Sequence, residues 1–180
     1  MIPLRTERLF LRHFEPGDFG ALLALHGDEE LTRYIDWGPR NEDEVRATLG
    51  RKMDKLTLVC EGDGLGLAGI LPSTGELIGD FTLEYQSERD RTAELGYMLH
   101  PDHHGKGYAT EGATALLRLA FEHFGMHRVV GVLDARNEGS AGVLERLGMR
   151  REAHLVENQW MKGGWRSELV YAILAQEWEG

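Results

Sequence analysis

The chain has 180 residues, 42% of them hydrophobic, with one cysteine and a formal net charge of −10. That length and composition suit a globular chain that buries a core, so residues 1–180 are expected to form a single domain. The acidic balance argues against phosphate-driven nucleic-acid binding and favours a cationic substrate such as an amine.

No apolar run reaches bilayer-spanning length, so no membrane partner is expected. The opening "MIPLRTERLFLR" lacks the long apolar core of a signal peptide, and the lone Cys60 leaves no intrachain disulfide. Both features point to the cytoplasm.

In chain order, "ERLFLRHF" (7–14) alternates apolar and polar residues and reads as a strand. Pro16 opens a short helix carrying Phe19, Leu22, Leu23 and Leu25, and a second short helix is predicted over 28–35. Asn41 caps a third through about Lys55, with Val45, Leu49 and Met53 at helical spacing. Strands follow at 55–60 and 67–71 around a glycine turn, then at 77–85 and 91–99. A helix over 111–125 carries Ala113, Leu116, Leu117, Ala120, Phe121 and Phe124 on one stripe. A buried strand (127–135), a helix (137–148) and an antiparallel hairpin (151–160 with 167–178) complete the chain. Cys60 is expected to be a buried strand residue, and Trp160, Trp165 and Trp178 to pack the hairpin. This order predicts an α/β, or α+β, layered fold.

Between strand and helix lies "HPDHHGKGYATEG" (100–112). A helix start presents unpaired N–H groups that attract anions, glycines at 105 and 107 allow close backbone approach, and Lys106 adds charge. A phosphate cradle and a plain helix-launching turn both fit. A Walker loop fails at His100 and Gly107, and a dinucleotide fingerprint fails at Thr110, where a third glycine belongs. His100, His103 and His104 offer nitrogen donors, but Pro101 breaks their spacing and no cysteine accompanies them, so no metal is expected.

The order "AELGYMLHPDHHGKGYATEGATALL … VLDARNEGSAGVLERLGM … LVYAILAQEW" resembles the GNAT superfamily of N-acetyltransferases, and more closely its RimJ/RimL-like branch. The resemblance starts at "RTERLFLRHFEPGDF" and covers almost the whole chain. The family's acetyl-CoA motif, Gln/Arg-x-x-Gly-x-Gly/Ala, falls on Asp102 to Gly107, with Asp102 at the first position. Its Asn-x-x-Ser motif falls on Asn137 and Ser140, before Leu147-Gly148-Met149.

The resemblance implies a mixed, strongly twisted sheet in which two parallel strands, 91–99 and 127–135, splay apart to admit acetyl-CoA. The amides of His104, Gly105, Lys106, Gly107, Tyr108, Ala109 and Thr110 would hold the pyrophosphate. Backbone groups of Met98 and Leu99 would bind the pantetheine arm and thioester carbonyl, and Asn137 the pantetheine amides. Ser140 would be the proton donor to the sulfur. Leu144 stands where many of these enzymes carry a tyrosine acid. Glu94 is the first candidate for the base and Glu157 the second, while Tyr34 and Trp37 would line the acceptor wall.

Each role has a structural alternative. Asn137 can be a plain N-cap, Ser140 a polar first-turn residue, and Glu94 a solvated carboxylate or an ammonium anchor. Tyr34 and Trp37 can be core packing. Glu111, in the first helical turn, reads as structural.

The expected activity is transfer of an acetyl group from acetyl-CoA to a primary amine by direct attack in a ternary complex, since no activated nucleophile is visible. The acceptor is a protein N-terminus, which the branch name favours, or a small amine such as a polyamine, amino acid or antibiotic. A non-catalytic acyl-CoA sensor is the rival reading. A homodimer through a sheet edge or the hairpin is a further expectation.

Overall fold

The computed structural model describes residues 2–180. Among them, eight strands form one sheet: β1 (Leu4–Arg5), β2 (Phe10–His13), β3 (Gly64–Ile70), β4 (Leu77–Ser87), β5 (Thr92–Leu99), β6 (Arg128–Asp134), β7 (Arg150–Met161) and β8 (Gly164–Leu174). Their order is β1-β2-β3-β4-β5-β6-β8-β7, and β5–β6 pair in parallel while the other neighbours pair antiparallel. Helices α1 (Phe19–His26), α2 (Glu29–Thr32) and α3 (Glu42–Asp54) precede β3, α4 (Tyr108–Arg118) links β5 to β6, and α5 (Glu138–Arg146) follows β6. This is the mixed α/β architecture expected from the sequence.

Two apolar clusters sit on the two faces of the sheet. The larger joins Phe81, Leu83 and Leu95 to Ala113, Leu116 and Leu117 of α4 and to Val143 and Leu144 of α5. The smaller joins Ala68, Ile70 and Leu77 to Leu22 and Leu25 of α1 and to Val45 and Leu49 of α3. Strand alternation produces this division, because successive side chains leave on opposite faces. No helix among the described residues is long and apolar enough to cross a membrane.

Three expectations are corrected. Residues 55–60 are not a strand: Leu56 makes only an isolated bridge to Leu65, and Cys60 is exposed. The strand expected at 67–71 instead begins at Gly64, inside the predicted glycine turn, where Lys55 at the end of α3 and Lys52 lie over its glycines. A Cβ on Gly64 would meet Lys55 Cδ at 2.8 Å, and one on Gly66 would meet Lys52 Cγ at 3.4 Å. Second, α2 is only four residues long, which leaves Tyr34 and Trp37 in a loop. Third, β8 ends at Leu174, where Glu177 turns back and accepts the Leu174 N–H at 2.8 Å. Trp160 and Trp165 do pack on each other across the hairpin, 5.4 Å between ring centroids and 60% and 59% exposed, whereas Trp178 packs on Phe121 at 6.0 Å.

Candidate active site

The sheet opens at its one parallel junction. β5 and β6 pair only from Thr92 to Glu94 against Arg128 to Val130. Beyond that, Leu95 to Leu99 have no β6 partner, and a cavity of about 1590 Å³ runs through the gap. β6 leaves β5 while its other edge stays paired with β8 from Arg128 to Asp134.

The register of β5 decides which backbone groups face this gap. The His100 N–H donates to the Ile78 carbonyl at 2.8 Å, and the register runs without a shift from Gly79–Leu99 to Glu84–Glu94. Bonded and non-bonded pairs alternate in an antiparallel ladder. Met98, Gly96 and Glu94 therefore turn their N–H and C=O toward β4, while Leu99, Tyr97 and Leu95 turn theirs into the gap. This corrects the expectation for Met98, whose backbone is engaged with the neighbouring strand. The Leu99 carbonyl is also engaged: it accepts from His104 Nε2 at 2.8 Å.

At one end of the gap lies the glycine loop. Gly105 and Gly107 have φ of +71° and +85°, a region that side-chain-bearing residues rarely adopt. Gly107 is the N-cap of α4, so the helix starts at Tyr108, three residues before the sequence places it. The first backbone bond of the helix runs from the Glu111 N–H to the Gly107 carbonyl at 3.0 Å. The N–H groups of Tyr108, Ala109 and Thr110 precede that ladder and form a ready anion site at the positive end of the helix. His104, Gly105 and Gly107 line the cavity with them, whereas Lys106 does not.

The loop is held from outside. Arg8 Nη1 donates to the Lys106 carbonyl at 2.9 Å, and its guanidinium lies 4.7 Å from the Tyr108 ring centroid. Two of the three histidines, His100 and His103, meet edge to face with 6.1 Å between ring centroids, while His104 bonds the Leu99 carbonyl. His103 lies 3.5 Å from Glu76 and His100 3.8 Å from Asp102. Among the described residues, no group of three His, Cys, Asp or Glu is placed to hold a metal ion.

Helix α5 supplies the facing wall. Asn137 Oδ1 accepts the Ser140 N–H at 3.1 Å and caps the helix, which leaves its amide NH₂ without a protein partner among the described residues. The Ser140 hydroxyl likewise has none, while its carbonyl accepts from the Tyr97 hydroxyl at 3.1 Å. Burial pushes the Tyr97 phenol up to about 12, so it stays protonated and acts as a donor. Leu144 is buried against Gly131, where a Cβ would come within 2.8 Å of it.

The far wall belongs to α1–α3 and to the opposite sheet face. Asp80 is buried, 2.9 Å from His26 Nε2 and 2.8 Å from Lys52 Nζ. Trp37 stacks on His26 with 4.8 Å between centroids and lies under Arg40 at 3.8 Å. Tyr34 lies under Arg33 at 4.4 Å. Both aromatic rings line the cavity.

Glu94 also lines it and has no hydrogen-bond partner among the described residues. Burial first, then the charges of Glu84, Glu168 and Asp36, hold its carboxyl above the usual range. Such a group accepts a proton near neutral pH more readily than an exposed carboxylate. Glu157 is elsewhere: it is exposed at an irregularity of β7 with φ +48°, its N–H donates to Ser167 Oγ at 2.9 Å, and it does not line the cavity.

Sequence reasoning missed Tyr97, Arg40 and Gln159, all of which line the cavity. Only Tyr97 carried a local signal, because the alternation of "ELGYML" places it on the face opposite Glu94.

The model of the acetyltransferase (GNAT) domain family matches residues 8–150. The chain is 27% identical over 175 residues to the uncharacterized N-acetyltransferase YnaD of Bacillus subtilis, covering 97% of this chain and 98% of that protein. It is 28% identical over 179 residues to the putative ribosomal N-acetyltransferase YdaF of the same organism, covering 97% and 96%. A crystal structure of a GNAT-family acetyltransferase from Bacillus anthracis superposes with a TM-score of 0.87 at 29% identity, covering 96% of this chain and 98% of that one.

Proposed function

The chain belongs to the GNAT acetyltransferase family and is an N-acetyltransferase, and we propose that it acetylates a primary α-amine by direct attack within a ternary complex. The observation that carries this reading is the gap beyond Glu94. It joins an anion-binding helix start at one end to an unbonded carboxylate of raised pKa at the other. Acetyl-CoA, when bound, supplies the acetyl group as an activated thioester.

The residues present fit that co-substrate. The N–H groups of Tyr108, Ala109 and Thr110, with the positive-φ glycines 105 and 107, hold its pyrophosphate. The gap-facing N–H groups of Leu95, Tyr97 and Leu99 are the donors available to a carbonyl oxygen, where developing charge needs a preorganised partner. The free amide of Asn137 binds the arm between these two ends. Glu94 takes a proton from the acceptor ammonium so that the nitrogen can attack. An α-amine, with a pKa of about 8, needs less help than a lysine-like amine at about 10.4. Ser140, its hydroxyl unpartnered, returns a proton to the departing sulfur. A thiol pKa of roughly 8.5 makes that last contribution modest, consistent with leucine at 144.

The motif order and the similarity to YdaF support the RimJ/RimL-like branch as its place in the family. The exposed, unpaired Cys60 supports a cytoplasmic setting. The exposed Val156, Trp160 and Trp165 on the hairpin support a homodimer; a monomer in sedimentation equilibrium at micromolar concentration would remove that assembly.

Initial-rate kinetics test the mechanism. Intersecting double-reciprocal lines are expected when acetyl-CoA and an α-amine peptide are varied together, and lower kcat/KM for ε-amines. Parallel lines would indicate an acyl-enzyme and overturn direct attack.

A further inference from the structure

We infer that the acceptor carries a second, anionic group besides its amine, and that Arg40 and Arg51 bind that group while Glu94 receives the amine. The inference rests on the acetyltransferase reading of the cavity and names the class of acceptor.

Charge pairing across the cavity points to it. Five of its cations are matched: Arg33 with Glu30, Lys52 with Asp80, Lys55 with Glu84, Arg136 with Asp134 and Arg166 with Glu168, while Arg146 donates to Thr110 Oγ1 at the glycine-loop end. Arg40 and Arg51 line the same cavity, and neither has a carboxylate within ion-pair distance among the described residues. Arg40 is nevertheless held firmly. Its guanidinium stacks 3.8 Å from the Trp37 ring centroid, its Nη1 donates to His26 Nδ1 at 3.0 Å, and its backbone N–H donates to the His26 carbonyl at 2.9 Å. Arginine only donates, so His26 Nδ1 accepts and Nε2 carries the hydrogen to Asp80. Asp80 is then engaged by His26 and Lys52, and it acts on Arg40, as Glu44 and Asp36 do, only through space and without a direct bond. Arg51 Nη2 donates to Thr48 Oγ1 at 2.9 Å. Burial and the neighbouring charge of Arg51 both push the Arg40 pKa down. Two neighbouring guanidiniums with no carboxylate in direct ion-pair contact are a site for a carboxylate or phosphate.

The opposite pole is an acceptor. Glu94 lines the cavity with no hydrogen-bond partner among the described residues and suits the N–H groups of an amine. The poles are separated along β4. Asp80, between His26 and Lys52, marks the arginine end, and Glu84, paired across the strands with Glu94, marks the other. Four residues of strand span about 13 Å. The acceptor is therefore an amine with an anion some atoms away: an amino acid-like small molecule, or a peptide N-terminus followed by an acidic residue. A polyamine would set a second cation against Arg40 and Arg51 and is disfavoured.

The test compares matched pairs. A homologous series of α-amino amides ending in an ω-carboxylate is assayed against the corresponding ω-amides, and an acidic tripeptide amide against its uncharged counterpart. Wild type and Arg51→Ala are compared in initial-rate CoA release and in calorimetric titration. Arg51 is exposed, so this variant is expected to fold; Arg40→Gln is the second variant. Wild type is expected to prefer the anionic member of a pair by about tenfold or more in kcat/KM, through KM. The preference should collapse toward one in both variants, and the better pair of the two kinds identifies the source of the anion. Equal use of acid and amide by wild type, or a preference that survives both substitutions, would overturn the inference while leaving the acetyltransferase reading intact. A rise only in the KM for acetyl-CoA would assign the arginines to the co-substrate and also overturn it. Failure of every amine to release CoA would instead count against the acetyltransferase reading, and the titrations would still decide whether the anion is recognised.

Discussion

Glu111 on α4 accepts the backbone N–H of Arg8 at 2.6 Å and its Nε at 2.7 Å, although the two residues lie 103 positions apart. Thr6 Oγ1 adds a third bond at 2.6 Å. The N-terminal segment is thereby tied to the helix whose start forms the anion site, and Arg8 reaches on to the Lys106 carbonyl. Burial alone would raise the Glu111 carboxyl, but the donors of Thr6 and Arg8 more than offset it and hold it below the ordinary value of 4.5.

The sign of the resulting linkage is fixed. A carboxyl depressed in the folded state stabilises it fully above the unfolded pKa, and that contribution is lost as pH falls below about 4.5 toward the folded value. Glu111→Gln should therefore lower stability at neutral pH, by about 1 kcal/mol after allowance for solvent screening. The deficit should shrink in acid. Urea unfolding at neutral and acid pH measures it, and an equal deficit at both would refute the linkage.

Gly107→Val places a branched side chain at φ +85° and a Cβ about 3.2 Å from Arg8 Nη2. The strain alone is about 1–2 kcal/mol. CoA affinity should fall by about tenfold or more, because the loop must shift before an anion can approach its amides. Calorimetric titration with CoA reads this directly, and unchanged affinity would mean that the pyrophosphate binds elsewhere.

Glu94→Gln should act in opposite directions on rate and stability. Loss of the base lowers kcat at neutral pH by about 10²-fold or more, with partial recovery at high pH as the amine deprotonates unaided. A pH-independent loss would mark Glu94 as an anchor. Because its folded pKa is raised, Glu94 favours the fold when protonated, and this advantage is lost as pH rises through that value. At neutral pH the glutamine variant is therefore expected to gain about 1 kcal/mol, or about 2–4 °C in Tm. Calorimetry showing lower stability would contradict the unbonded, crowded carboxylate described for this position.

Asp80→Asn breaks a buried ion pair and leaves Lys52 facing a neutral amide. Removing one partner of such a pair costs about 3 kcal/mol or more. Denaturant unfolding should show that loss. A change below about 1 kcal/mol would mean that water already compensates the lysine.

Local signals were the legible ones. "HHGKG" and "NEGS" each fix a helix start within a few residues, so the loop, Asn137 and Ser140 could be placed from the sequence. α4 starts three residues before the apolar stripe predicts, because Gly107 serves as its cap through a positive φ, which no side-chain pattern announces. "KLTLVC" alternates like a strand but is none, and the strand expected at 67–71 begins earlier, over "GLGLAGI", where Gly64 and Gly66 let Lys55 and Lys52 lie close. That outcome depends on a neighbour the local pattern does not contain. The acceptor end was the least legible part. Arg40, Arg51, Glu94 and Gln159 come from a loop, α3, β5 and β7, and only the folded sheet brings them to one cavity.

The most direct test is release of CoA thiol from acetyl-CoA by the wild-type protein, followed with and without amine acceptors. Saturable, amine-dependent release with an equal amount of acetylated amine is the predicted result. Tight acetyl-CoA binding with no release on any α-amine or ε-amine would contradict the catalytic account and leave an acyl-CoA sensor.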